Sequence, residues 1–130
     1  MTGWMAGPPN IGWAAEPIMI AISSQSLQYI SVNVTAPNNP TAASVSMAFV
    51  GPYSDQQSAV AAVATSTTTY YTGSWNGQTP NSTTQWVARC LVGPSGGVTT
   101  LTSGIWVVFV KVTGDSPELP VIWSGYVEAA

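Results

Sequence analysis

Charge is what this sequence has least of: of 130 residues, two are Lys or Arg and five are Asp or Glu, 5% of the chain against about 25% in ordinary soluble domains. The seven are Glu16, Asp55, Arg89, Lys111, Asp115, Glu118 and Glu128. Two cations cannot neutralise a run of phosphates or hold a chain on an anionic lipid surface, so nucleic-acid binding and a polybasic membrane anchor are excluded. Histidine is absent. With it go the commonest general base, the commonest metal ligand and any Ser-His-Asp or Cys-His pair. No acid–base pair can be drawn from five scattered carboxylates, so neither enzymatic activity nor a cofactor or metal is expected. The single cysteine, Cys90, allows no internal disulfide. No apolar run reaches the roughly 18 residues of a membrane helix, and no basic segment follows Met1, so a secretory leader is not expected.

Apolar side chains are plentiful, at 45% of residues with a mean hydropathy of +0.23, which excludes the low-hydrophobicity, high-charge composition of a disordered chain. The polar remainder is dominated by fifteen serines and fifteen threonines, groups that keep a sheet surface wet without charging it. Ten prolines and twelve glycines cut the chain into strand-length segments. Strands are expected from Ile18, over 28–35, at 44–49 ending at Gly51-Pro52, within 65–75, over 85–92, over 104–113 and over 121–127. A short segment at 98–102 is also marked off. Asn76-Gly77 is the strongest tight-turn signal, and residues 55–64, with Asp55 as cap, are the one place for a helical turn.

Segment 105–112 is apolar on both faces, with Trp106, Val108, Val110 and Val112 opposing Ile105, Val107 and Phe109. In a sandwich, one face meets the partner sheet; the other must meet a loop, the N-terminal arm or another molecule. About seven short strands make an all-β, immunoglobulin-like β-sandwich the expected fold, with a small barrel as the alternative. One sandwich domain is assigned to residues 16–130, preceded by an irregular N-terminal arm over 1–15 that shows no periodicity.

The order of motifs in the C-terminal half is more specific than composition. Trp75 in GSW, QWVARCLVGPSGG (85–97), IWVVFVKVTGDSPELPV (105–121) and Gly125-Tyr126-Val127, together with the strand at 44–49, resemble a group of small β-sandwich proteins encoded among the virion structural genes of tailed phages infecting actinobacteria. The resemblance implies a non-enzymatic virion component of the capsid or head–tail region, made in the host cytoplasm. Its implied partners are the major capsid protein or neighbouring virion subunits, with homo-oligomers in the particle. Residues 1–26 depart from the pattern in being longer and richer in Trp and Pro.

Four residues are candidates for partner binding. Trp4, Met5 and Trp13 belong to an arm without a core of its own, and tryptophan is enriched at interface hot spots; packing back onto the sandwich is the alternative. Arg89 shares a face with Val87 and Leu91, and its planar donors suit carboxylates. Alternatively it pairs with Asp115 or Glu118, or sends its head to solvent past an apolar stem. Cys90 alternates with Trp86 and Ala88 and reads as core, as do Trp86 and Trp106, with Trp75 and Trp123 intermediate. Asp115 and Glu118 offer too few oxygens for calcium. The function expected is capsid decoration or a head-accessory role through an apolar arm and sheet face. The alternative is a tail, baseplate or fibre module whose aromatics stack on host cell-wall carbohydrate.

Overall fold

Alternation of apolar with hydroxyl or amide side chains builds strands that each own one dry face, and two sheets close those faces on one another. The computed structural model describes residues 12–65, 67–80, 82–114 and 119–130. Among them the strands are β1 (Ala14–Ala15), β2 (Ile18–Ile22), β3 (Gln28–Thr35), β4 (Ser44–Tyr53), β5 (Tyr71–Thr72), β6 (Ser74–Gln78), β7 (Gln85–Val92), β8 (Gly104–Thr113) and β9 (Val121–Ala129), with a single helical turn, α1 (Gln56–Ala59). One sheet has the order β1-β3-β7-β6, the other β2-β9-β8-β4-β5. The protein is therefore an all-β two-sheet sandwich. No helix among the described residues is long and apolar enough to cross a membrane.

The main core lies between the sheets. Ile30, Val32 and Val34 of β3 and Ala88, Cys90 and Val92 of β7 face Val45 and Met47 of β4 and Val108, Val110 and Val112 of β8. Each such aliphatic side chain, fully removed from water, contributes about 1.5–3 kcal/mol before entropy is counted. Trp75 and Trp106 pack at the margin of this core, their indole N–H groups donating to the Ala43 carbonyl at 3.0 Å and the Thr102 carbonyl at 2.8 Å. Trp86 is buried.

A second, smaller core lies outside the five-stranded sheet. Ala48, Val107, Phe109 and Tyr126 project away from the partner sheet and are covered by Ala59 of α1, with Ala62, Ala64 and Tyr70 of the following segment packed against them. Of the three covers open to the outer face of 105–112, the molecule uses its own loop. The apolar sheet face expected to meet a partner is thus closed over Val107 and Phe109, because burying them within the chain removes the same apolar surface from water without the loss of freedom that association entails.

Several boundaries differ from the sequence reading. The last two residues of the segment read as an irregular arm form β1, antiparallel to Thr35 and Val34 of β3. After Pro17 the chain crosses to the other sheet, where β2 runs parallel to β9. The helical turn expected within 55–64 forms at Gln56–Ala59 with Asp55 as its cap, and the chain leaves it at Val60 to lay Ala62 and Ala64 on the sheet. Residues 98–102 form no strand. Gly51, read as a stop, and Gly77, read as a turn, lie inside strands instead, as Gly125 does within the last strand. The register of β4 with β8 shifts between Val50 and Tyr53, that of β6 with β7 between Trp75 and Gln78, and that of β9 with β8 around Ser124-Gly125. Each shift is a bulge containing a glycine, Gly51, Gly77 or Gly125.

Candidate functional site

On the outer face of the four-stranded sheet, the residues that alternate away from the core are Tyr29 and Ser31 of β3, Arg89 and Leu91 of β7, and Ser74 of β6. Register places Tyr29 opposite Leu91, and Arg89 between Ser31 and Ser74. The Arg89 guanidinium lies over the Tyr29 ring, 4.0 Å from its centroid. This is the close cation–π geometry that ring quadrupoles favour. Beside it is a depression of about 200 Å³ lined by Tyr29, Thr72, Ser74, Arg89, Leu91 and Val98, among others. Leu27, Tyr29 and Val98 are left 48%, 45% and 40% exposed. Tyr29 and Val98 give the depression apolar edges, and Leu27 lies near Gly96, which also lines it.

Arg89 has no ion-pair partner among the described residues, and its Nε is buried without an acceptor. Asp115 and Glu118, the carboxylates considered for it, lie outside the described residues. A buried N–H left unsatisfied costs about 1–3 kcal/mol, more for a charged group, so this guanidinium is held by its ring and its apolar stem at the expense of its Nε donor. The other cation, Lys111, is similarly placed, 4.7 Å from the centroid of Tyr70. It belongs to the loop-covered face.

Trp13 packs against the main core of its own chain, with its indole N–H buried and unpaired. The structure thus takes the alternative weighed for this side chain, packing back onto the sandwich, because the β1–β3 pairing draws the chain at Ala14 onto the sheet. Trp4 and Met5 lie outside the described residues. The outer face of the five-stranded sheet also holds an apolar group that composition could not locate. Trp123 is 42% exposed and makes an edge contact with Tyr126 at 5.7 Å, while Met19, 64% exposed, is the register partner of Tyr126 on β2.

Cys90 lies on the inner side of β7, buried, its thiol donating to the Thr72 carbonyl at 3.6 Å. Burial pushes its pKa up to about 11, the opposite of what a nucleophile requires. Among the described residues no group of three or more His, Cys, Asp or Glu side chains comes together. The arrangement at Arg89 presents a fixed cation to an anion in an open depression, and the one thiol that lines it, Cys90, is held protonated by burial.

Comparison with protein-family models, with curated proteins and with solved structures finds no match to this chain.

Proposed function

We propose that this protein is a non-enzymatic adhesion component of a tailed-phage virion, a capsid decoration or head-accessory protein that binds the major capsid protein or neighbouring subunits. The observation that carries the reading is the makeup of the Arg89 face. An arginine stacked on a tyrosine beside Leu91 and Val98 has the composition of a protein–protein hot spot, where Arg and Tyr are enriched and lysine and acids depleted. The sequence motifs at 85–97 and 105–121 support the virion assignment. The scarcity of charge supports a life packed against neighbours, since a free monomer ordinarily relies on surface charge to stay apart from its copies.

The strand orders β1-β3-β7-β6 and β2-β9-β8-β4-β5 favour an immunoglobulin-like arrangement. On that reading β1 and β2 are the split first strand and β5 is the extra edge strand of the variable type. The inter-sheet disulfide of antibody domains has no counterpart, since the one cysteine faces the core from β7.

The mechanism is stabilisation by mass action: a module that binds only assembled subunits favours the assembled state. Gel quantification of the protein in purified particles tests it. Hundreds of copies per particle are expected for decoration, and roughly six or twelve would place it at a connector or tail instead. Absence from particles overturns the virion reading. Deleting residues 1–11 should abolish incorporation into particles. Full occupancy by the truncated protein shows that Trp4 and Met5 are not the anchor.

A second reading, a fibre or baseplate module for cell-wall carbohydrate, draws on the exposed rings of Tyr29 and Trp123. It requires tryptophan fluorescence that responds to cell-wall glycans, and a flat titration removes it.

A further inference from the structure

The geometry points to the Arg89 depression as a carboxylate-binding site for an acidic side chain, Asp or Glu, on a protein partner. This rests on the adhesion reading above and adds the chemistry of the contact. Three observations converge on it. The guanidinium is fixed in place by the Tyr29 ring at 4.0 Å, so little rotamer freedom remains to be lost when a ligand arrives. Its Nε is buried with no acceptor among the described residues, so a carboxylate seated in the depression meets the guanidinium through its terminal nitrogens. The volume, about 200 Å³, falls below the roughly 300–1,000 Å³ of small-molecule sites and suits the end of one side chain.

The surroundings select among anions. Leu91 and Val98, which line the depression, match apolar residues flanking an acid in a polypeptide, and would face the hydroxyls of a sugar acid unfavourably. One face of Tyr29, the ring on which a sugar would stack here, is already taken by the guanidinium. No second cation lines the depression, so a doubly charged phosphate would be only partly neutralised. The molecule carries a net charge of −3, which gives long-range attraction for acidic partners no help. Selectivity therefore comes from the local fork and its apolar edges.

Arg89 is the only arginine in the chain, so its Nε–Hε group gives a single side-chain signal in a nitrogen–proton correlation spectrum of the intact protein. Titration with the capped tripeptide Leu-Glu-Leu should move that signal along a saturating curve, with half-saturation in the tens of millimolar, about what one charge-assisted fork supplies. Capped Leu-Gln-Leu should bind about tenfold more weakly. The Tyr29→Leu variant, altered at a partly exposed position, keeps the arginine but loses its platform, and should weaken the Glu peptide about two- to fivefold. Equal binding of the Gln peptide overturns the proposal in favour of a merely apolar contact. Glucuronate or inorganic phosphate binding as tightly as the Glu peptide overturns it in favour of a sugar acid or phosphate. An unmoved signal overturns it outright. The titration involves no particle, so its failure leaves copy number in virions untouched, and absence from virions leaves a positive titration standing.

Discussion

Alternation along β7 is enough to send Arg89 to one face and Cys90 to the other, and the two residues show how the same strand makes opposite demands on neighbouring side chains. Cys90 is enclosed by both sheets, and burial raises its thiol pKa to about 11 from about 8.5 in an unfolded chain. The native state therefore retains a proton that the unfolded state has released between those values. The resulting stabilisation is fully present below about pH 8.5 and is lost as the pH rises through about 11. Urea midpoints of the wild type and of Cys90→Ala should accordingly converge as the pH is raised through that window. Tyr70, also shifted upward by burial, contributes with the same sign to both and cancels. A gap that stays constant with pH refutes the shift. Gly125 illustrates a residue whose identity the surroundings dictate. A Cβ there would lie 2.2 Å from the Ile18 carbonyl oxygen, and its φ is +106°. Parallel pairing of β2 against the bulge of β9 leaves no space for a side chain. In the sequence, that glycine reads only as one residue of the last strand, 121–127.

Among the elements, the segment after β4 carries the most information that periodicity could not supply. Asp55 caps α1 by accepting from the Ser58 N–H at 2.7 Å, which also holds its carboxyl below the ordinary value. Helical order ends there, and the chain continues as a cover for Val107, Phe109 and Tyr126. The apolar character of both faces of β8 was legible, as was the need for something to lie on the second face. Which of three candidates did so was not, because a loop, an arm and a partner satisfy the same hydrophobic requirement. Ala59 is the buried centre of the cover. Substitution Ala59→Asp should detach the cover by placing an unpaired charge there. The expected result is increased binding of a hydrophobic dye, with hydrogen exchange accelerated over 54–70 but not in β3 or β7. Uniform acceleration throughout the chain would mean that the cover and the sandwich unfold as one unit.

For the molecule as a whole, the two cations enter no ion pair among the described residues: each rests on a tyrosine ring. Stability carried by apolar burial and hydroxyl hydrogen bonds should be insensitive to screening. Thermal midpoints measured between about 0.05 and 0.5 M sodium chloride are expected to agree closely, since salt at these levels weakens charge pairs and leaves apolar contacts in place. A marked fall in midpoint would reveal an ion-pair network. Strands β3, β7 and β8 could be bounded correctly from sequence because alternation and flanking turn residues are local properties. So could the inward Cys90, the outward Arg89 and the two-sheet class. The glycine bulges, the crossing of the chain from β1 to β2 and the parallel pairing of β2 with β9 could not. Each is set by which backbone happens to lie alongside, a relation between residues more than a hundred positions apart in the last case. The Arg89 site divides the same way. Sequence alone determined that one arginine would stand on a polar-apolar face, since side chains in a strand alternate. Only the tertiary structure decided that Tyr29 would lie beneath it and residues from two crossings would wall it in, because cross-strand register and the packing of loops over a sheet are properties of the folded chain.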